Sequence, residues 1–298
     1  MLKPALYNRR TGKIEHENTY KQKGLKFLYH HPVGKIITNG LLSQRYMSAL
    51  YGAHMKSPRS KSFIMPFIEQ YKIDVSEIKR PLESFRSFND FFIRELVDGA
   101  RVIDQEPSHL ISPADSRLMV FNMASGPEIP VKGYWYSLLQ LVKDKNIAKR
   151  YADGWCFVYR LAPPDYHRYC YIDNGKQEKV KRLRGVLNSV HPIALKSKKS
   201  LLSKNYRELT VLHTENFGDV IHIEVGALLV GKVIQRDREA HSFRKGEEKG
   251  WFEYGGSTVI QLFTRDAIKP DDDIMKYSAK RIETLVKVGE KTGIGLLK

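Results

Sequence analysis

The sequence predicts an α+β protein in which a helical, membrane-associating segment over residues 1–105 precedes a β-rich barrel or sandwich over residues 106–298. Three observations carry this. In IITNGLLSQRYMSALY the apolar Leu42, Tyr46, Met47, Leu50 and Tyr51 recur on one helical face. From about Ile111 the pattern changes to short runs of β-branched and aromatic residues separated by Gly, Pro, Asn and Asp, the pattern of an all-β region. With 298 residues, 42% of them hydrophobic and 28% charged, the chain can bury a sizeable core.

The elements follow in order. After the first amphipathic helix, SKSFIMPFIEQY is apolar and broken by Pro66, and SFRSFNDFFIREL carries Phe85, Phe88, Phe91 and Phe92 at helical spacing. Strands are predicted in WCFVYRLAP, ELTVLHT, DVIHIEVGALLVGKVIQ and STVIQLFT. In the third, Ile221, Ile223 and Val225 alternate with His222 and Glu224, which places the apolar set on one face. Gly226 and Gly231 interrupt that run as bulges or barrel corners would. The stretch DDDIMKYSAKRIETLVKVGEKTGIG reads as helix followed by turn.

The charge is strongly basic, 50 Lys and Arg against 33 Asp and Glu for a net +17, which suits a polyanion or an anionic lipid surface. No acidic residue occurs between Glu17 and Glu69, whereas Lys21, Lys23, Lys26, Lys35, Arg45, Lys56, Arg59 and Lys61 are basic. A basic, aromatic segment of this kind fits an interfacial helix on anionic lipid, and a solvated basic face that packs on the body accounts for it equally. No nucleic-acid module motif is present, which disfavours the other polyanion. No apolar run approaches the ~20 residues of a spanning helix and no signal-peptide core is seen, so membrane attachment is expected to be peripheral. Cys156 and Cys170 lack the spacing of zinc ligands or of a disulfide framework. A reducing cytoplasm and no metal are the simpler expectations.

Three stretches of the β region carry chemistry-bearing side chains: SPADS (Ser112 to Ser116), PPDYHRYCY (Pro163 to Tyr171) and EYGGST (Glu253 to Thr258). An Asp, a His and a Ser from three segments can meet as orienter, base and nucleophile, although ordinary turn and strand-end roles explain each one singly. Two adjacent glycines at the mouth of a strand weaken it, so a close approach or an unusual backbone conformation is expected there.

NDFFIREL, SPADS, DYHR, ENFGDVIHIEVGALLVGKV and KGEEKGWFEYGGSTVI stand in an order that resembles the phosphatidylserine decarboxylases, in their short bacterial form, from about Phe88 to the C-terminus. The resemblance implies a proenzyme that cleaves itself at Gly256–Ser257 into a β chain, 1–256, and an α chain, 257–298, and converts Ser257 into a covalent pyruvoyl cofactor. That group would form a Schiff base with the amine of phosphatidylserine, release carbon dioxide and yield phosphatidylethanolamine, with no metal. Asp115 matches the acid that orients the self-cleavage histidine, and His167 matches the histidine tied to decarboxylation. The implied partners are an anionic phospholipid membrane on its cytoplasmic side, phosphatidylserine and the two cleaved chains as a heterodimer, with a dimer of heterodimers as a further assembly.

Two departures stand out. Ser116 replaces a glycine, and Cys170 occupies the position of the family's second histidine, the base for self-cleavage. A thiol with a pKa near ~8.5 is the poorer base at neutral pH. His167, Cys170 as thiolate, or His191, which stands where the family commonly has Asn, are the three candidates to replace it. The alternatives are a non-processing, catalytically inactive lipid-binding relative and a serine hydrolase. The hydrolase is disfavoured by the absence of a G-x-S-x-G elbow.

Overall fold

The computed structural model describes residues 4–17, 45–125, 128–131, 134–185, 205–226, 232–255 and 257–297; Leu42, His191, Gly231, Gly256, Lys21, Lys23, Lys26 and Lys35 lie outside them. Its centre is one sheet of 11 strands. The path runs β14 (His241–Phe243), β9 (Gly175–Gln177), β11 (Arg207–Thr214), β12 (Gly218–Val225), β16 (Ser257–Phe263), β7 (Trp155–Leu161), β4 (Ser116–Asn122), β18 (Glu283–Val286), β1 (Ala5–Asn8) and β2 (Lys13–His16), with β10 (Lys181–Leu183) also on β11. Every pairing in it is antiparallel except β1 with β18.

The four strands predicted from sequence form β7, β11, β12 and β16 and occupy the middle of this sheet. The expected barrel does not form: the path ends at β14 and β2 without closing. Gly226 follows the last residue of β12 and gives its N–H to the Tyr206 carbonyl at 2.9 Å. Two further expectations are corrected. Within the segment read as helical, β1 and β2 form a hairpin on the sheet edge. The C-terminal stretch read as helix and turn also supplies two strands, β18 and β19 (Lys291–Gly295), because Thr284 and Val286 pair with Leu118 and Ser116.

Both faces of the sheet are buried. On one, Met119, Phe121, Cys156, Val158, Ile221, Ile223, Ile260 and Leu262 pack with Leu138 and Leu141 of α4 (Leu138–Val142) and with Ile147 of α5 (Lys145–Arg150). On the other, Leu118, Val120, Phe157, Tyr159, Leu161 and Val259 meet Tyr169, Cys170 and Phe252 from a second, three-stranded sheet, β13 (Val233–Gln235), β15 (Glu248–Phe252) and β8 (Arg168–Cys170). His222 and Glu224 point to this second face and are fully buried, so the alternation in β12 does not separate core from solvent. Lys249 of β15 satisfies them in part: its Nζ donates to Glu224 Oε1 and to Gln235 Oε1, both at 2.7 Å. A third small sheet joins β17 (Ile268–Pro270), β19 and β3 (His109–Ile111), and β5 (Glu128–Val131) pairs β6 (Tyr134–Ser137).

A third cluster is aromatic. It gathers Met55 of α1 (Arg45–Lys56), Ile64, Phe67 and Ile68 of α2 (Ile64–Tyr71), and Phe85, Phe88, Phe91 and Phe92 around α3 (Phe88–Phe92). Pro66 falls in the first turn of α2, where its missing N–H costs no helical bond. Ser87 caps α3, its Oγ accepting from Asp90 N at 3.2 Å. The four phenylalanines are therefore core residues. Among the described residues of this segment Leu50, Phe63, Met65 and Val75 are exposed apolar side chains, the first three in an exposed setting with Arg59 and Lys61.

Candidate active site

Ser257 is the first residue of β16, held between β12 and β7 and fully buried. The chain reaches it under firm restraint. Phe252 N donates to the His167 carbonyl at 2.9 Å, and Tyr254 N donates to Asn89 Oδ1 at 2.9 Å. Gly255 has φ +136°, a conformation open to glycine and closed to residues with a Cβ. This is the unusual backbone that the paired glycines led one to expect.

His167 lies on the turn between β7 and β8, and its Nδ1 is 3.4 Å from Ser257 Oγ. Its Nε2 is 3.1 Å from the Ala162 carbonyl, which can only accept, so the proton sits on Nε2 and the Nδ1 lone pair faces the serine hydroxyl. The turn is fixed in its own right: Asp165 accepts from Ala162 N at 2.6 Å and pairs with Arg117. The Phe92 ring covers the imidazole at 4.0 Å between centroids. Burial pushes the His167 pKa down to about 3, with the charges of Arg94 and Arg117 adding to the shift and the Ala162 carbonyl opposing it. The ring is therefore a neutral acceptor at physiological pH, and 3.4 Å is the loose contact common before a nucleophile is engaged.

Asp115 is expected to orient the self-cleavage histidine whose position Cys170 occupies, and its charge acts on that thiol. Its carboxylate receives Arg101 Nη2 at 2.6 Å and Nε at 2.9 Å, and Val288 N at 2.9 Å. Among the described residues no hydrogen bond joins it to His167. The SPADS turn instead touches the segment of Cys170, whose N–H donates to the Pro113 carbonyl at 2.9 Å. Cys170 itself is buried and free, and its thiol is pushed up to about 12, first by burial and further by the charges of Glu248 and Asp115. That thiol is no thiolate near neutral pH. Ser116 begins β4 with its Oγ buried and without a partner.

The comparisons with known proteins agree on one family. The family model for phosphatidylserine decarboxylase matches residues 88–294. Phosphatidylserine decarboxylase proenzyme 2 of Clostridium acetobutylicum is 43% identical over 289 residues, covering 97% of this chain and 98% of its own. The chain belongs to the phosphatidylserine decarboxylase family. The phosphatidylserine decarboxylase proenzymes of Fusobacterium nucleatum, 40% identical over 96% of this chain and 95% of its own, and of Clostridium beijerinckii, 41% identical over 98% and 99%, are similar along nearly the whole length.

Within the phosphatidylserine decarboxylase fold several site residues escaped the sequence reading. Arg94, Arg101 and Arg117 surround the His167 turn and its acids. Arg94 stands in NDFFIREL, where the helical spacing of the phenylalanines gives no sign that the arginine is buried. Lys249 and Glu224, whose pair flanks the sheet face that carries Ser257, stood in two quoted motifs, yet nothing in their spacing announces that they meet.

Proposed function

We propose that this chain is a proenzyme that cuts itself at Gly256–Ser257 and then decarboxylates phosphatidylserine to phosphatidylethanolamine. The observation that carries the reading is a buried serine at the head of a central strand, after a glycine at positive φ, with an imidazole lone pair 3.4 Å from its hydroxyl. The hydroxyl proton passes to His167 Nδ1 as Oγ attacks the Gly256 carbonyl carbon, and the imidazolium gives that proton to the nitrogen as the peptide C–N bond breaks, leaving an ester and a free amine on residue 257. Loss of the residue 257 α-proton expels the Gly256 carboxylate, and water then replaces nitrogen, which leaves as ammonia. Ser257 is suited to becoming a pyruvoyl group, since its side chain is fully buried beside a neutral imidazole. When present, that group supplies a ketone that condenses with the substrate amine and draws off the electrons released with carbon dioxide. His167 Nδ1, a neutral acceptor between steps, relays a proton to the α-carbon, taking it up only as it is passed on.

In this reading the base is His167, and Cys170 is a packing residue of the second core. Asp115 fixes the surrounding loop through Arg101 and Val288. The lipid surface is met by the N-terminal segment through Leu50, Phe63, Met65, Arg59 and Lys61, on the cytoplasmic side and peripherally; no helix among the described residues is long and apolar enough to cross a membrane. The inactive alternative rested on Cys170 alone, and a histidine beside Ser257 removes its motive. Intact mass under denaturing conditions tests the proposal. The expected result is two chains divided after Gly256, the smaller beginning with pyruvoyl; one chain of 34.4 kDa would overturn it.

A further inference from the structure

Arg94 is buried at 4% exposure, stacks on the Phe91 ring at 5.0 Å and gives one weak bond, Nη2 to the Pro164 carbonyl at 3.3 Å. Its Nε and Nη1 have no partner, so with one of the two Nη2 protons engaged four of the five N–H donors of the guanidinium are unused. The two carboxylates whose charges act on it are already engaged, Asp115 by Arg101 and Asp165 by Arg117 and Ala162 N. Burial pushes Arg94 down to about 10, which still leaves it charged at neutral pH. An unpaired buried guanidinium is costly, and it persists where something absent from the free protein completes it. Its Nη2 bond to the Pro164 carbonyl puts it against the half-exposed turn of residues 163–166, which leads directly into His167.

We propose that Arg94 binds the phosphodiester of the substrate lipid and so sets the head group against residue 257; this rests on the decarboxylase reading above. The substrate offers two anions. A guanidinium on the carboxylate would stabilise the ground state and lose its partner as carbon dioxide leaves, raising the barrier. The phosphodiester keeps its charge throughout, so binding it positions the substrate without opposing the reaction. Phosphorus stands four bonds from the serine nitrogen, which puts its anchor about one side chain from the reacting residue, and Arg94 reaches the turn that carries His167 at Pro164. Arginine also suits phosphate oxygens better than lysine does.

The test uses full-length Ser257→Ala protein, which cannot process, with soluble glycerophosphoserine and glycerophosphoethanolamine as probes in calorimetry and thermal melts. Adding Arg94→Met should weaken both probes at least tenfold while raising the melting temperature of the unliganded protein, because a buried charge without a partner is removed. Arg94→Lys should fall between. Failure of Arg94→Met to fold, a lower melting temperature, or unchanged affinity would overturn the proposal by making the arginine structural. A loss confined to glycerophosphoserine would overturn it in favour of the carboxylate. Absence of binding to the Arg94-containing protein also overturns it, whereas the decarboxylase reading fails separately, when the wild-type protein releases no phosphatidylethanolamine from phosphatidylserine vesicles.

Discussion

The pH dependence of self-cleavage separates the two side chains available to take the proton from Ser257. With its pKa near 3, the His167 imidazole is almost entirely neutral from pH 6 to 9, so a reaction that uses it is flat across that range. A Cys170 thiol with pKa about 12 is thiolate to a fraction of about 10⁻⁵ at pH 7, and a reaction that uses it accelerates tenfold per pH unit, about a thousandfold from pH 6 to 9. Proenzyme made by cell-free translation, pulse-labelled and shifted to each pH, would be chased with hydroxylamine, which cuts the ester and keeps the readout on the first step. Appearance of the 257–298 fragment gives the rate. His167→Gln should slow it by ~10² to 10⁴, roughly 3–5 kcal/mol of barrier. Cys170→Ala should leave it within a few-fold. A tenfold rise per pH unit, or normal cleavage in His167→Gln, would sink the assignment of the base.

Two predictions concern stability. Lys249→Met strands the buried Glu224 carboxylate and should cost ~3–5 kcal/mol in urea unfolding, most of it recovered by adding Glu224→Leu; an unchanged midpoint in the single variant would show that the pair contributes nothing. Acid should destabilise the fold through His167. The unfolded state takes its proton at about pH 6.5 and the folded state only near pH 3, so stability is lost as pH falls through that window, by roughly 2 kcal/mol at pH 5. His222, also held well below its ordinary pKa by burial, adds in the same direction. Melting curves of His167→Gln should fall less steeply with acid than wild type, and parallel curves would contradict the buried neutral ring.

What the sequence disclosed depended on whether the information was local. β16 was legible because Ser257 to Phe263 is an apolar, β-branched run after two glycines, and His167 was legible because it stands in a motif. The second buried face of β12 was not, since His222 and Glu224 look solvent-facing until Lys249, brought over them by β15, supplies a partner. The failure of the barrel to close was equally invisible: it depends on the edges, where the N-terminal hairpin extends the sheet past β18. Cys170 was read from the motif as the weak point. Cys170 is buried with its thiol pushed up to about 12, and on the proposed reading the base is a residue already in view, His167 at 3.4 Å from Ser257 Oγ.

Residue 257 is not at a loop but at the head of a strand with seven ladder partners on β7 and five on β12, and the 42 residues from there to the terminus also supply β17, α6 (Asp272–Ala279), β18 and β19. Cutting the preceding bond thus divides the covalent chain through the middle of the sheet while leaving every ladder intact. The fragments have no separate cores to retreat into, so their dissociation is the unfolding of the whole molecule. Before the cut, refolding is a unimolecular event; afterwards it needs two chains to meet, and its yield depends on their concentration. The proposed proteolytic step would therefore also be a thermodynamic ratchet, after which the molecule keeps its fold but loses the means of regaining it alone.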